Sequence, residues 1–133
     1  MRWIELVERV GVALAIEQRD DEHVVGSIII ADHKQKLRID RVTAFSSEWV
    51  QFQAPVTTEK RTLFRDALLY NHRLAIGSLS LVEGVLMLRA AHALDALEVR
   101  ALDRHVTFLT TEATRLRAIP IPVHDSHMQW VID

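Results

Sequence analysis

The side chains best able to do chemistry in this 133-residue chain are seven histidines, set among eighteen acidic residues. Only the stretch HDSH brings two of them close to a carboxylate, as His124, Asp125 and His127. A zinc-type site needs three or four converging ligands, and no third stands at a recognisable spacing. The adjacent residues Asp125, Ser126 and His127 have the composition of a nucleophilic triad, but such a triad requires a rigid frame and an oxyanion hole, and this segment offers neither. The chain has no cysteine, which removes disulfides, thiolate catalysis and cysteine-bound metal. Its four glycines, Gly11, Gly26, Gly77 and Gly84, are scattered and form no phosphate loop. The sequence therefore gives no catalytic residue, no metal site and no cofactor, and directs attention to binding.

Sixteen Lys and Arg against eighteen Asp and Glu leave a formal charge of -2, so no field for nucleic acid is expected. Hydrophobic residues make up 49% and charged residues 26%, the balance of one globular domain. The most apolar run, Ile76 to Leu88, is bounded or broken by Arg73, Glu83 and Arg89, too short to span a bilayer. Glu5 and Glu8 interrupt the first residues where an export signal would be apolar, and the expectation is a cytoplasmic protein without membrane insertion. The reading assigns residues 1–117 to a single domain and residues 118–133 to an extended tail, in which Pro120 and Pro122 exclude regular helix.

Several elements must build that domain. Trp3, Leu6, Val7 and Val10 make one apolar helical face, with Gly11 as its expected stop. VALAIEQ then reads as a strand, VVGSIIIA as a second and KLRIDRVTAFS as a third, while EWVQFQAPV is a fourth strand or a continuation of the third. Pro55 closes that region. Thr57 or Thr58 then caps a second helix carrying Leu63, Phe64, Ala67 and Leu68 and running to about His72. The apolar run after it could be one helix or a hairpin. As a helix it would hold two glycines in its interior, at about 1 kcal/mol each relative to alanine. As a hairpin it puts Glu83 and Gly84 in a two-residue turn and pairs Val82 with Val85, Leu81 with Leu86 and Leu79 with Leu88. The hairpin is the better reading; it turns Leu79, Leu81, Leu86 and Leu88 inward and Ser78, Ser80, Met87 and Arg89 outward. A last helix follows, with Asp95 as N-cap, Glu98 three positions on, and a stripe of Val99, Leu102, Val106, Leu109, Ala113 and Leu116.

This order of helix, strands, helix, hairpin and helix, with Asn71, Leu74, Gly77, Glu83, Gly84, Leu88, Arg89 and Leu97 in place, resembles the type III secretion chaperone-like superfamily of CesT/Tir chaperones and YbjN-type proteins. The match in pattern covers residues 60–117 and is topological over residues 1–55. A more distant similarity is to the small YjfI-type bacterial proteins, which are linked to partners of the phage-shock family. The resemblance implies an α+β fold of order α-β-β-β(-β)-α-β-β-α. It also implies a homodimer that works by holding a segment of another bacterial protein, through strand addition and apolar grooves. The alternatives kept beside that chaperone or adaptor role are a docking protein of an envelope-stress system and a small metal-dependent enzyme.

The residues expected on a partner-binding or dimer surface are Trp49, Arg61, Arg65, Ser78, Ser80, Met87, Arg89 and Trp130. Trp49, Met87, Trp130 and the edge of the VVGSIII strand are apolar beyond what one sheet face needs, and Arg61 and Arg65 would meet an acidic partner. The second helix or the outer face of the hairpin is the expected dimer contact.

Overall fold

The computed structural model describes residues 1–58 and 69–118. Helix α1 (Trp3–Ala13) is followed by strands β1 (Ala15–Arg19), β2 (His23–Ile30), β3 (His33–Ala44) and β4 (Ser47–Thr58). After residue 68 come a short 3-10 turn (Asn71–Arg73), strands β5 (Ser78–Val82) and β6 (Val85–Ala93), and helix α2 (Val99–Ala118). The strands form one antiparallel sheet in the order β1-β2-β3-β4-β6-β5. The class is α+β, as the sequence implied, and both described helices lie on one face of the sheet.

Strand alternation explains which face they cover. Val24, Leu37, Ile39, Val50, Phe52, Leu79 and Leu88 point to the helices and are at most 5% exposed. Trp3, Leu6, Val7 and Val10 from α1, with Leu102, Val106, Leu109, Ala113 and Leu116 from α2, complete the core. Fully burying one such side chain stabilises by about 1.5–3 kcal/mol, so these helical stripes fix the sheet's inner face. Gln35 is the polar exception on that face, 1% exposed. Its Nε2 donates to the carbonyls of Lys36 and Pro55, both at 3.0 Å, and its Oε1 accepts from the Thr114 hydroxyl at 3.1 Å.

The hairpin register is the one expected, with Leu79 opposite Leu88 and Val82 opposite Val85. Glu83 and Gly84 both have positive φ, as a type I′ turn demands, and Gly84 adopts it without a Cβ penalty. Leu81 departs from expectation: it shares the inner face by register but is 37% exposed. It sits near the hairpin tip on the outermost strand, whereas Leu79 and Leu86 are buried.

Other boundaries also need correction. Gly11 does not end α1, which runs to Ala13 and closes with the Leu14 amide on the Val10 carbonyl at 2.9 Å. Gly11 is exposed, so its cost of about 1 kcal/mol is outweighed by burying Val10 and Leu14 on either side. The third and fourth strands are separate, joined by a reversal at Phe45 and Ser46 whose φ values are 50° and 60°. Pro55 does not close β4; it pairs with Met87, and the register shifts between Pro55 and Thr57. A bulge is where a strand can tolerate a residue without an N–H. Thr57 and Thr58 are consequently strand residues opposite Leu86 and Val85, not helix caps. Asp95 is not the N-cap of the last helix. It lies in a turn closed by the Leu97 amide on the Leu94 carbonyl, with both leucines buried, and α2 begins at Val99. The expected second helix falls on residues 59–68, outside the described part, apart from Leu69 and Tyr70, which are helical.

Candidate partner-binding surface

Five of the eight expected surface residues meet on the outer face of the sheet, the face without helices among the described residues. Register puts Trp49 on β4, Met87 and Arg89 on β6, and Ser78 and Ser80 on β5 on that side. Trp49 is half-buried and donates its indole N–H to the Ala44 carbonyl at 3.1 Å. Arg89 lies opposite Gln53 on one side and Ser78 on the other; its Nη2 reaches Gln51 Oε1 at 3.4 Å, and its buried Nε has no partner among the described residues. Arg61, Arg65 and Trp130 lie outside the described residues, as do His124, Asp125 and His127. Among the described residues no three metal-ligating side chains converge.

The same face carries a polar cluster that sequence reasoning missed. Asp40, 9% exposed, accepts from His23 Nδ1 at 2.6 Å, Arg38 Nε at 2.7 Å and Gln53 Nε2 at 2.9 Å. The strand register alone makes this cluster, because His23 stands opposite Asp40 and Arg38 opposite Gln53. Farther out, Lys34 at 2.8 Å and Lys36 at 3.6 Å hold Glu17 and, with Ser27, draw its carboxyl down to about 2.

The two edges of the sheet differ. VVGSIII, expected at an edge, is β2, an interior strand paired with β1 and β3. The edges are β1 and β5. Along β1 no side chain or backbone group of the described residues bonds to the outward main chain of Ala15–Arg19. At β5 the Asn71 side chain does so: its Oδ1 accepts from the Leu79 amide at 2.6 Å, and its Nδ2 donates to the Leu79 carbonyl at 3.4 Å.

A third surface runs along the flank of α2. A groove of about 860 Å³ is lined by Ile76, Val99 and Phe108 with Arg100, Asp103 and Glu112 among its charged walls. The sequence placed Val99 in the buried stripe, yet on this flank Val99 is 46% exposed. The signal was Phe108, a large apolar residue off the leucine stripe. Arg9 on α1 grips Asp103 with bonds of 3.0 and 2.7 Å, which pull the aspartate below its ordinary range. Arg115 and the Tyr70 hydroxyl both bond Glu112, and Arg115 contributes most to lowering the pKa of its carboxyl. Burial and the bond to Glu112 raise that of the tyrosine.

Neither a family model nor a curated protein sequence matches the chain. Solved structures do. A chain of the crystal structure of the ExsC-ExsE complex superimposes with a TM-score of 0.62 and 18% identity, covering 90% of this chain and 92% of that one. A chain of the HopA1-SchA chaperone-effector complex gives 0.60 and 17%, covering 86% and 91%. At such identities the likeness is one of fold: this chain shares the architecture of those two chains, in the α+β class that the sequence pattern implied.

Proposed function

We propose that this chain is a chaperone-like binding protein without a reaction of its own, which holds an extended segment of another protein along β1. The observation that carries the reading is a strand edge that the described residues leave unpaired, on a fold shared with a chain of a chaperone-effector complex. Main-chain pairing at an open edge supplies affinity that depends little on the partner's sequence, while side-chain contacts supply selection. Val12, which precedes β1 by three residues, is 75% exposed and with Leu102 and Val106 lines a cleft between α1 and α2 that offers further apolar contacts. No helix of the described residues is long and apolar enough to cross a membrane.

A homodimer is part of the proposal. Trp49, Met87 and Arg89 share the outer sheet face with Ser78 and Ser80, a face covered by no helix among the described residues. Sedimentation equilibrium reads it directly: a monomer at high concentration removes the dimer from the account.

The binding role is tested by native capture of partners, followed by calorimetry with the recovered segment and an edge variant. Asp20 bonds His23 across the β1–β2 turn, so antiparallel alternation aims the Arg19 amide outward. Arg19→Pro removes that donor and leaves the β1–β2 ladder intact. A tenfold or greater loss of affinity supports strand addition, and unchanged affinity rejects it.

A further inference from the structure

We propose that Asn71 decides which edge of the sheet accepts a strand, by occupying the β5 edge with its own side-chain amide. The inference rests on the strand-addition reading and goes beyond it by naming a residue that sets its location. In the hairpin the pair flanking the turn, Val82 and Val85, is hydrogen-bonded, and alternation makes Ser80 with Met87 and Ser78 with Arg89 the next such pairs. Leu79 and Leu81 therefore turn their N–H and C=O away from β6, toward the free edge.

A primary amide carries the same donor and acceptor as a peptide group. Asn71 sets Oδ1 on the Leu79 amide at 2.6 Å and Nδ2 on its carbonyl at 3.4 Å, as one residue of a neighbouring strand would. Among the described residues Leu81 is then the single residue of β5 with both outward groups open, and one residue cannot seed a ladder.

The asparagine is held where it acts. The residue before it, Tyr70, is 6% exposed and bonds Glu112 on α2, and the Asn71 carbonyl itself closes the 3-10 turn by accepting from the Leu74 amide at 3.4 Å. Beyond the turn, Gly77 has φ +77°, and a Cβ there would stand 2.4 Å from the Arg89 carbonyl oxygen. The chain is folded so tightly onto β6 that Leu79 comes within reach of Asn71. No comparable side chain serves β1 among the described residues. An extended partner segment is thereby directed to β1, and the edge that would pair two copies side by side is closed.

The test uses the full chain without a partner, so its outcome is independent of whether β1 binds one. Amide hydrogen exchange and sedimentation velocity are measured for wild type, Asn71→Ala and Asn71→Asp, with Arg19→Pro added to the alanine variant to block β1. In Asn71→Ala the Leu79 amide should exchange at least about tenfold faster at low concentration. At high concentration that variant should associate further than wild type, with protection returning at Leu79 and Leu81 even when Arg19 is proline. Asn71→Asp keeps the acceptor and should keep Leu79 protected. Wild-type exchange and sedimentation in Asn71→Ala overturn the proposal, as does association that disappears when β1 is blocked. If the alanine variant does not fold, the aspartate variant decides: an exposed-like Leu79 amide overturns the proposal, and a protected one upholds it.

Discussion

Replacing Gln35 by methionine should cost about 1–3 kcal/mol although the volume barely changes. The amide is 1% exposed and makes its bonds in three directions: two N–H donations to the carbonyls of Lys36 and Pro55, and acceptance from Thr114. The Pro55 bond matters most, because the β4–β6 register shifts at that point and Pro55 has no N–H of its own. Methionine leaves that carbonyl without its side-chain donor beneath α2, where solvent does not reach Gln35. Thr114 suffers less, since its hydroxyl also bonds the Thr110 carbonyl at 2.9 Å. Thr114→Val should therefore cost under about 1 kcal/mol, with coupling between the two changes in a double-mutant cycle. Urea unfolding, with m unchanged, measures both. The reasoning fails if Gln35→Met unfolds within about 0.5 kcal/mol of wild type, or if Thr114→Val proves the costlier change.

Gly77→Ala should destabilise strongly, by about 2 kcal/mol or more, because positive φ and a backbone oxygen 2.4 Å from the new Cβ leave no relaxed solution; thermal melting tests it. Gly84→Ala, with nothing within 4 Å of its Cβ, should cost only the strain of positive φ, about 1 kcal/mol, in the same assay. Glu112 has a folded-state pKa below its unfolded value, chiefly through Arg115, so its stabilisation is present above the unfolded pKa of about 4.3 and is lost as pH falls through the folded one. Glu112→Gln should flatten the acid limb of a pH-stability profile and leave neutral pH less stable than wild type. Asp40→Asn keeps the shape but weakens three charge-assisted bonds, and should loosen β2 against β3, read as faster exchange of the β2 amides.

The parts of the fold that sequence made legible are those where one local signal had no competitor. Glu83-Gly84 between apolar runs permits one tight reversal, and the period of Leu102, Val106, Leu109 and Leu116 permits one buried helical face. Both stand as read. Reversals without a glycine were not legible: Phe45 and Ser46 adopt positive φ against preference, at 95% exposure for Phe45, so the third and fourth strands could not be told from one. Gly11 misled because packing on both sides outweighed its local cost, and Pro55 because a register shift beside it lets the strand continue. Of the surface, alternation was enough to group Ser78, Ser80, Met87 and Arg89, and pairing of β4 with β6 added Trp49. The Asp40 cluster and the Asn71 bond to Leu79 depend on which strands become neighbours, and no periodicity along one segment carries that. Asn71 was noted as part of a pattern, with nothing in the chain to say that its amide would stand in for a strand.

The most direct measurement is residue-resolved hydrogen exchange on the chain free and bound to its captured partner segment. The outward amide of Arg19 on β1 should slow sharply in the complex while Leu81 on β5 stays as it was. Slowing at Leu81, or confined to the α2 flank around Phe108, with β1 unchanged, would contradict the account.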